Sequence, residues 1–198
     1  QTQGISEKDA LLATDALIKA DLRGVESHGV SNMLRAYLGA FKSNSLNPKP
    51  NWKIVKETAS CATINSDNGL GIVVAPQAME IAVEKAKKTG AGIVTMNNCG
   101  HLGMLAYHSM IASDNDMIGT TMAACSPRMV PTYSSVRALG TNPISYSAPA
   151  DKLPDFVFDA AMTSVAGNKI VLASRLNVPL SPGWIADKDG NPIMEEVN

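Results

Sequence analysis

Aromatic side chains are scarce in this sequence, at 5% of 198 residues. That leaves little for stacking on nucleic-acid bases. A dominant charge is also missing: 17 Lys and Arg stand against 18 Asp and Glu, for a net charge of −1. A nearly neutral chain offers no electrostatic footprint for nucleic acid or an anionic membrane. No apolar run approaches the roughly 18 to 20 residues that span a bilayer. The opening residues, Gln1 to Gly4, are polar and carry no signal-peptide pattern. Cysteine is limited to Cys61, Cys99 and Cys125, odd in number and without a C-x-x-C pair. A disulfide framework or zinc knuckle is therefore not expected, and reduced thiols in a cytosolic protein are. Histidine is limited to His28, His101 and His108, none at H-x3-H spacing, so no metal site is expected.

What is present suits a proper core: 45% of residues are hydrophobic and 18% charged. Ser6 before Glu7, Lys8 and Asp9 reads as a helix N-cap with acid in the first turn. The helix spans about 7–20, with Leu11, Leu12, Leu17 and Ile18 among its core positions. Further helices are expected over about 29–41, 72–88, 103–113 and 164–176. In the 72–88 segment Ile72, Ala75, Met79, Ala82, Val83 and Ala86 keep helical spacing, and Thr89-Gly90 caps it. Strands are expected near 52–55, 61–65, 91–96 (buried), 117–123, 144–148 and 156–159. Residues 43–50, 128–141 and 179–198 read as loop. The mixture of helices and strands gives an α/β or α+β class. The loop-like ending suggests a chain incomplete at its C-terminus.

Gly69-Leu70-Gly71-Ile72-Val73-Val74 approaches G-x-G-x-x-G between a strand and a helix. In that setting glycines let a pyrophosphate reach a helix N-terminus. The third glycine is replaced by Val74, however. Where an acidic residue is needed roughly 20 positions on stand Asn97 and Asn98. The segment reads better as a tight turn feeding a packed helix.

Three other constellations suit chemistry. Asp21-Leu22-Arg23-Gly24-Val25-Glu26-Ser27-His28-Gly29 sets acids, an arginine, a serine and a histidine at a helix–helix junction. A histidine there suits proton transfer at a hydroxyl, and an arginine suits a carboxylate. A capped helix start with solvated charges is the alternative. Asn97-Asn98-Cys99-Gly100-His101-Leu102-Gly103 leaves a strand for a helix, and its small residues expose backbone N–H groups to a phosphate or amide ligand. His108 on that helix reads as a packing or surface histidine. Phe156-Val157-Phe158-Asp159 ends a strand in a carboxylate that either steadies a histidine or caps the next helix.

Together and in order, these motifs resemble the malate/L-lactate dehydrogenase family that is distinct from the Rossmann-fold lactate and malate dehydrogenases. The matching residues are Asp21-Leu22-Arg23-Gly24 with Ser27-His28-Gly29, Asp67-Asn68-Gly69-Leu70-Gly71, and Asn98-Cys99-Gly100-His101-Leu102-Gly103. Gly140-Thr141-Asn142-Pro143, Asp159-Ala160-Ala161-Met162-Thr163 with Lys169-Ile170, and Gly183-Trp184 before Asp187, Asp189 and Gly190 complete the set.

The resemblance implies a family-specific NAD(P)-binding fold, not a Rossmann domain. It implies a dehydrogenase using NAD, with NADP possible, on a small 2-hydroxy or 2-oxo acid. Malate is the first choice. L-lactate, ureidoglycolate and the cyclic-imine or diketo-acid reductases of the family are alternatives, and a silent ligand-binding or assembly domain is the non-enzyme alternative. It implies His28 as proton carrier, supported by Ser27 and Asp159, with His101 as the carrier in some members. Cofactor contacts fall on His101, Leu102, Gly103, Met104 and Leu105 and on Asp159, Ala160, Ala161, Met162 and Thr163. Many members carry a carboxylate-binding arginine four residues after the histidine. Here that position is Asn32, with Arg35 one turn on and Arg23 before it as the basic groups available to substrate. The family implies a homodimer with its active site completed at the interface. Residues 1–66 are then the helical, substrate-side region, and 67–198 the mixed α/β cofactor-binding region.

Overall fold

The computed structural model describes residues 3–197. Gln1 and Thr2, part of the polar start, and Asn198, the end of the expected tail, lie outside the described residues. Two compact units emerge: Gln1–Thr121 with Ser145–Phe158, and Met122–Ile144 with Asp159–Asn198.

Helix α1 covers Glu7–Leu22. Ser6 Oγ accepts from the Asp9 backbone N–H at 3.1 Å and donates to the Asp9 carboxylate at 2.7 Å, so the expected cap is present. Leu17 is buried and Leu12 packs at the edge of the core, but Leu11 and Ile18 are exposed. Successive helical residues are about 100° apart. The adjacent pairs Leu11-Leu12 and Leu17-Ile18 therefore cannot both point inward, and the core-facing expectation for Leu11 and Ile18 is corrected. Helix α2, Val30–Lys42, buries Met33, Tyr37 and Phe41 along one stripe at four-residue spacing.

Strands β1 (Lys53–Glu57), β2 (Cys61–Asn65) and β3 (Ile93–Asn97) form a sheet in that order. β1 pairs antiparallel to β2 with a bulge between Ile54 and Lys56. β2 pairs parallel to β3, from Cys61 opposite Ile93 to Asn65 opposite Asn97. Helix α3, Gly71–Thr89, makes the crossover and ends at Gly90 in the left-handed region. It covers one face of the sheet, where Ile64, Val74 and Ala78 pack. The other face is open, so β3 is not the buried strand expected. Its residues alternate, and Ile93 is 59% exposed.

Helix α4 is Ala106–Ser113. Strands β4 (Gly119–Met122), β5 (Ile144–Ala148) and β6 (Phe156–Ala160) form a second three-stranded sheet in that order. The boundary between units falls within these strands. A buried serine relay ties this sheet to α4: Ser109 Oγ lies 2.8 Å from Ser145 Oγ, which donates to the Phe158 carbonyl at 2.8 Å. With two small sheets, one of them mixed, the chain is α/β but not a doubly wound parallel sheet among the described residues.

The main core joins α1 and α2 to the start of α3 and to α4, through Leu17, Met33, Tyr37, Ile72, Val73, Met104 and Tyr107. Shared packing binds the helices of residues 1–66 to α3 and α4. In the second unit, helix α5 covers Gly167–Leu176. Within 179–197, isolated antiparallel bridges join Leu180 to Val197 and Ala186 to Pro192, so the tail is not all loop.

Gly71 decides how α3 meets the rest. A Cβ there would collide with the backbone carbonyls of Gly100 and His101. Gly71→Ala is expected to lower the unfolding free energy by about 1–3 kcal/mol through overpacking. Gly39→Ala, in open space on α2, is expected to raise it by up to about 1 kcal/mol. Urea midpoints of the two variants check the contrast.

Candidate active site

The Ser27-His28 segment is held from two sides. α1 ends at Arg23, and a single 3-10 turn, Glu26–His28, leads into α2. Asp21 caps α2 from nine residues back: its Oδ2 accepts from the Val30 N–H at 2.9 Å. A Cβ at Gly29 would overlap that carboxylate, so Asp21 and Gly29 require each other. Asn32 is buried, and its Nδ2 donates to the Ser27 carbonyl at 2.8 Å. Part of the charged cluster is therefore architecture. Asp21 is a helix cap and Asn32 a strut, while Arg23 and Arg35 remain exposed.

His101 arrives from the two glycine-bearing turns, which are stitched together. Ser66 N donates to Asn97 O at 3.0 Å, Asn68 N to Asn98 O at 2.8 Å, and Gly100 N to Gly69 O at 2.9 Å. Asp67, Asn68 and Asn98 adopt left-handed backbone, which Asn and Asp tolerate better than most residues. The G-x-G segment is thus a packing device. At the start of α3 the room beside Gly71 is filled by the Gly100 and His101 carbonyls, acceptors that would repel a phosphate.

The seam sets His101 against His28. Their rings stack with centroids 5.4 Å apart and planes 14° from parallel. Ser27 Oγ lies 2.9 Å from His28 Nδ1. His101 Nδ1 accepts from the Tyr37 hydroxyl at 2.8 Å and from the Gly103 N–H at 3.3 Å. Burial lowers the pKa of His28. Burial, and secondarily the nearness of His28, lowers that of His101 to about 4. Tyr37 was not singled out from sequence, although its place on the buried stripe of α2 carries a signal: a buried tyrosine hydroxyl needs a partner.

The other expected residues divide between the two units. Leu102 is half-buried, and Gly103 has φ of 68°. The Met104 and Leu105 side chains lie in the interior, leaving only their backbone for any ligand. His108 is fully buried, with Nε2 donating to the Leu102 carbonyl at 2.8 Å, and burial lowers its pKa to about 4. It packs, as the sequence reading has it. In the second unit Asp159 and Met162 are exposed and Ala160, Ala161 and Thr163 half-buried. There Met162 N donates to Thr141 O at 2.8 Å, and Asn142 Oδ1 accepts from Cys125 N at 3.0 Å. Two motifs of the sequence, 140–143 and 159–163, therefore meet. Asp159 belongs to the second unit and His28 to the first. Among the described residues no cluster of His, Cys, Asp and Glu is arranged to hold a metal, and no helix is long and apolar enough to cross a membrane.

The pKa values of His101 and His108 lie below the 6.5 of a free histidine. The unfolded chain therefore takes up these protons first. Stability tied to the neutral rings is whole above about pH 6.5 and is lost as pH falls toward about 4. The ring Cε1–H resonances of both histidines are expected to keep neutral-ring positions at about pH 5. A His101 resonance titrating as a free histidine does would contradict the burial described.

Similarity to known proteins points the same way. The family model described as malate/L-lactate dehydrogenase matches residues 1–195. The chain is 41% identical over 192 residues to the L-sulfolactate dehydrogenase of Methanocaldococcus jannaschii, covering 97% of this chain and 55% of that protein. It is 39% identical over 188 residues to a malate dehydrogenase of Pyrococcus horikoshii, covering 95% of this chain and 52% of that protein. The crystal structure of malate dehydrogenase from Entamoeba histolytica superposes with a TM-score of 0.92 at 31% identity, covering 97% of this chain and 53% of that one. The chain spans about half the length of the curated relatives it matches.

Proposed function

Since the chain belongs to the malate/L-lactate dehydrogenase family, we propose that it carries the acid/base part of a nicotinamide-dependent oxidoreductase acting on a 2-hydroxy acid, with malate as the preferred substrate. The observation that carries this reading is the stacked pair of His28 and His101, with Ser27 on one ring and Tyr37 on the other.

The residues present fit a nicotinamide better than a phosphate. A flat imidazole surface beside side-chain-free Gly103 suits a planar ring. The start of α3, crowded by carbonyls, does not suit a pyrophosphate. His101, Leu102 and Gly103 and the backbone of Met104 and Leu105 are the groups we assign to holding the cofactor. When bound, the nicotinamide supplies the redox chemistry, taking a hydride from the substrate's C2 or returning it. NAD is the first choice, with NADP the alternative.

His28 takes the proton of the 2-hydroxyl during oxidation and returns it during reduction. Ser27 holds Nδ1, so Nε2 is the nitrogen that meets the substrate. Burial keeps His28 neutral near pH 7, the form that accepts a proton. Arg23 and Arg35 are assigned to the substrate's anionic groups, with Asn32 shaping the site from behind. Malate and sulfolactate, named for the two relatives, are both 2-hydroxy acids with a second anionic group, which is what two exposed arginines suit. The homodimer and a cytosolic location are proposed on the family resemblance.

Turnover of the complete polypeptide, followed at the nicotinamide absorbance with malate, sulfolactate, lactate and ureidoglycolate and with either cofactor, tests the reading. Malate is expected to react fastest. His28→Asn is expected to lower kcat by about 10²–10⁴-fold with an unchanged urea midpoint. No turnover of any of these acids by folded protein would overturn the proposal.

A further inference from the structure

Two donors converge on one nitrogen of His101. A backbone N–H only donates, so the Gly103 N–H at 3.3 Å marks Nδ1 as an acceptor. The Tyr37 hydroxyl at 2.8 Å is then the second donor to the same atom. Tyr37 is itself fixed: it is 5% exposed, on the buried stripe of α2 between Met33 and Phe41. Gly103 is fixed by its left-handed backbone, where a Cβ would strike Ile72. The neutral imidazole has one proton, and with Nδ1 accepting, that proton sits on Nε2.

We propose that Tyr37 is a positioning residue: its hydroxyl holds His101 in the Nε2–H form, so that His101 is a fixed neutral donor to the substrate's C2 oxygen while His28 alone carries the proton. The inference rests on the dehydrogenase reading above and assigns its two histidines different tasks. A neutral donor of this kind stabilises negative charge developing on an oxygen without exchanging a proton with it. Two stacked rings 5.4 Å apart also do not favour two positive charges. One proton carrier beside one permanently neutral ring removes that conflict. The lowering of the His101 pKa to about 4 agrees, and burial pushes the Tyr37 ionisation upward, keeping it a donor at neutral pH.

His28 faces His101 from the 3-10 turn, and Tyr37 from α2.

The test reads nitrogen chemical shifts of the histidine rings by two-bond 1H–15N correlation in the complete polypeptide, without substrate, at pH 7. The expected pattern for His101 is an acceptor-type Nδ1 and a protonated Nε2. Tyr37→Phe is expected to move Nδ1 and Nε2 toward the averaged shifts of a free imidazole. It is also expected to lower kcat by roughly tenfold, the scale of one lost hydrogen bond, with a smaller change in KM. Replacement of Tyr37 by 3,5-difluorotyrosine, a stronger donor of the same shape, is expected to shift Nδ1 further in the bonded direction. Shifts that do not move in either variant, or an unchanged kcat in Tyr37→Phe, overturn the proposal. The shifts are read without turnover, so they judge Tyr37 separately from the dehydrogenase reading, which stands or falls on the substrate assay.

Discussion

The seam between the 66–71 turn and the 97–101 loop is the constraint on which the rest of the structure depends. Three backbone hydrogen bonds join the two segments, and the start of α3 rests directly on the Gly100 and His101 carbonyls. Because α3 also carries Ile72 and Val73 into the core with α1 and α2, the seam fixes His101 relative to the helices that carry His28 and Tyr37. A side chain at Gly71 or Gly100 would push the loop away. The stack of the two histidines would then be lost before either ring had been touched.

Much of this was legible in the sequence. Ser6 and the acids after it marked the start of α1, and the spacing of Ile72, Ala75, Val83 and Ala86 marked α3. The near-miss dinucleotide motif reads as a tight turn feeding a packed helix, and in the structure its glycines serve a close packing of backbone on backbone. Leu11 and Ile18 were misplaced because composition shows which residues are apolar but not which way a helix turns them. β3 was misread as buried because an apolar run looks the same whether one face or both are covered. That difference lies in which helices find the sheet.

At the candidate site, Ser27, His28 and His101 stand out by their types and neighbours, and the structure stacks the two rings with Ser27 on one of them. The cluster around His28 concealed a division of labour, however. Asp21 and Asn32 look like functional groups by residue type alone, yet Asp21 caps a helix and Asn32 holds a carbonyl. Tyr37 was passed over for the opposite reason, since a tyrosine on an apolar stripe looks like core. Its contact with His101 spans 64 positions, a separation that no local pattern conveys.

The account's central claim is that the two stacked histidines do different work: one moves a proton, the other stays neutral. The most direct measurement is kcat/KM against pH, in the oxidation direction, for His28→Gln and His101→Gln. Glutamine supplies an N–H donor but does not titrate. His101→Gln is predicted to lose rate yet keep the fall in kcat/KM toward acid pH, because His28 still has to be neutral to accept the proton. His28→Gln is predicted to lose both the rate and the acid fall. An acid fall that disappears in His101→Gln and survives in His28→Gln would contradict the account and make His101 the proton carrier.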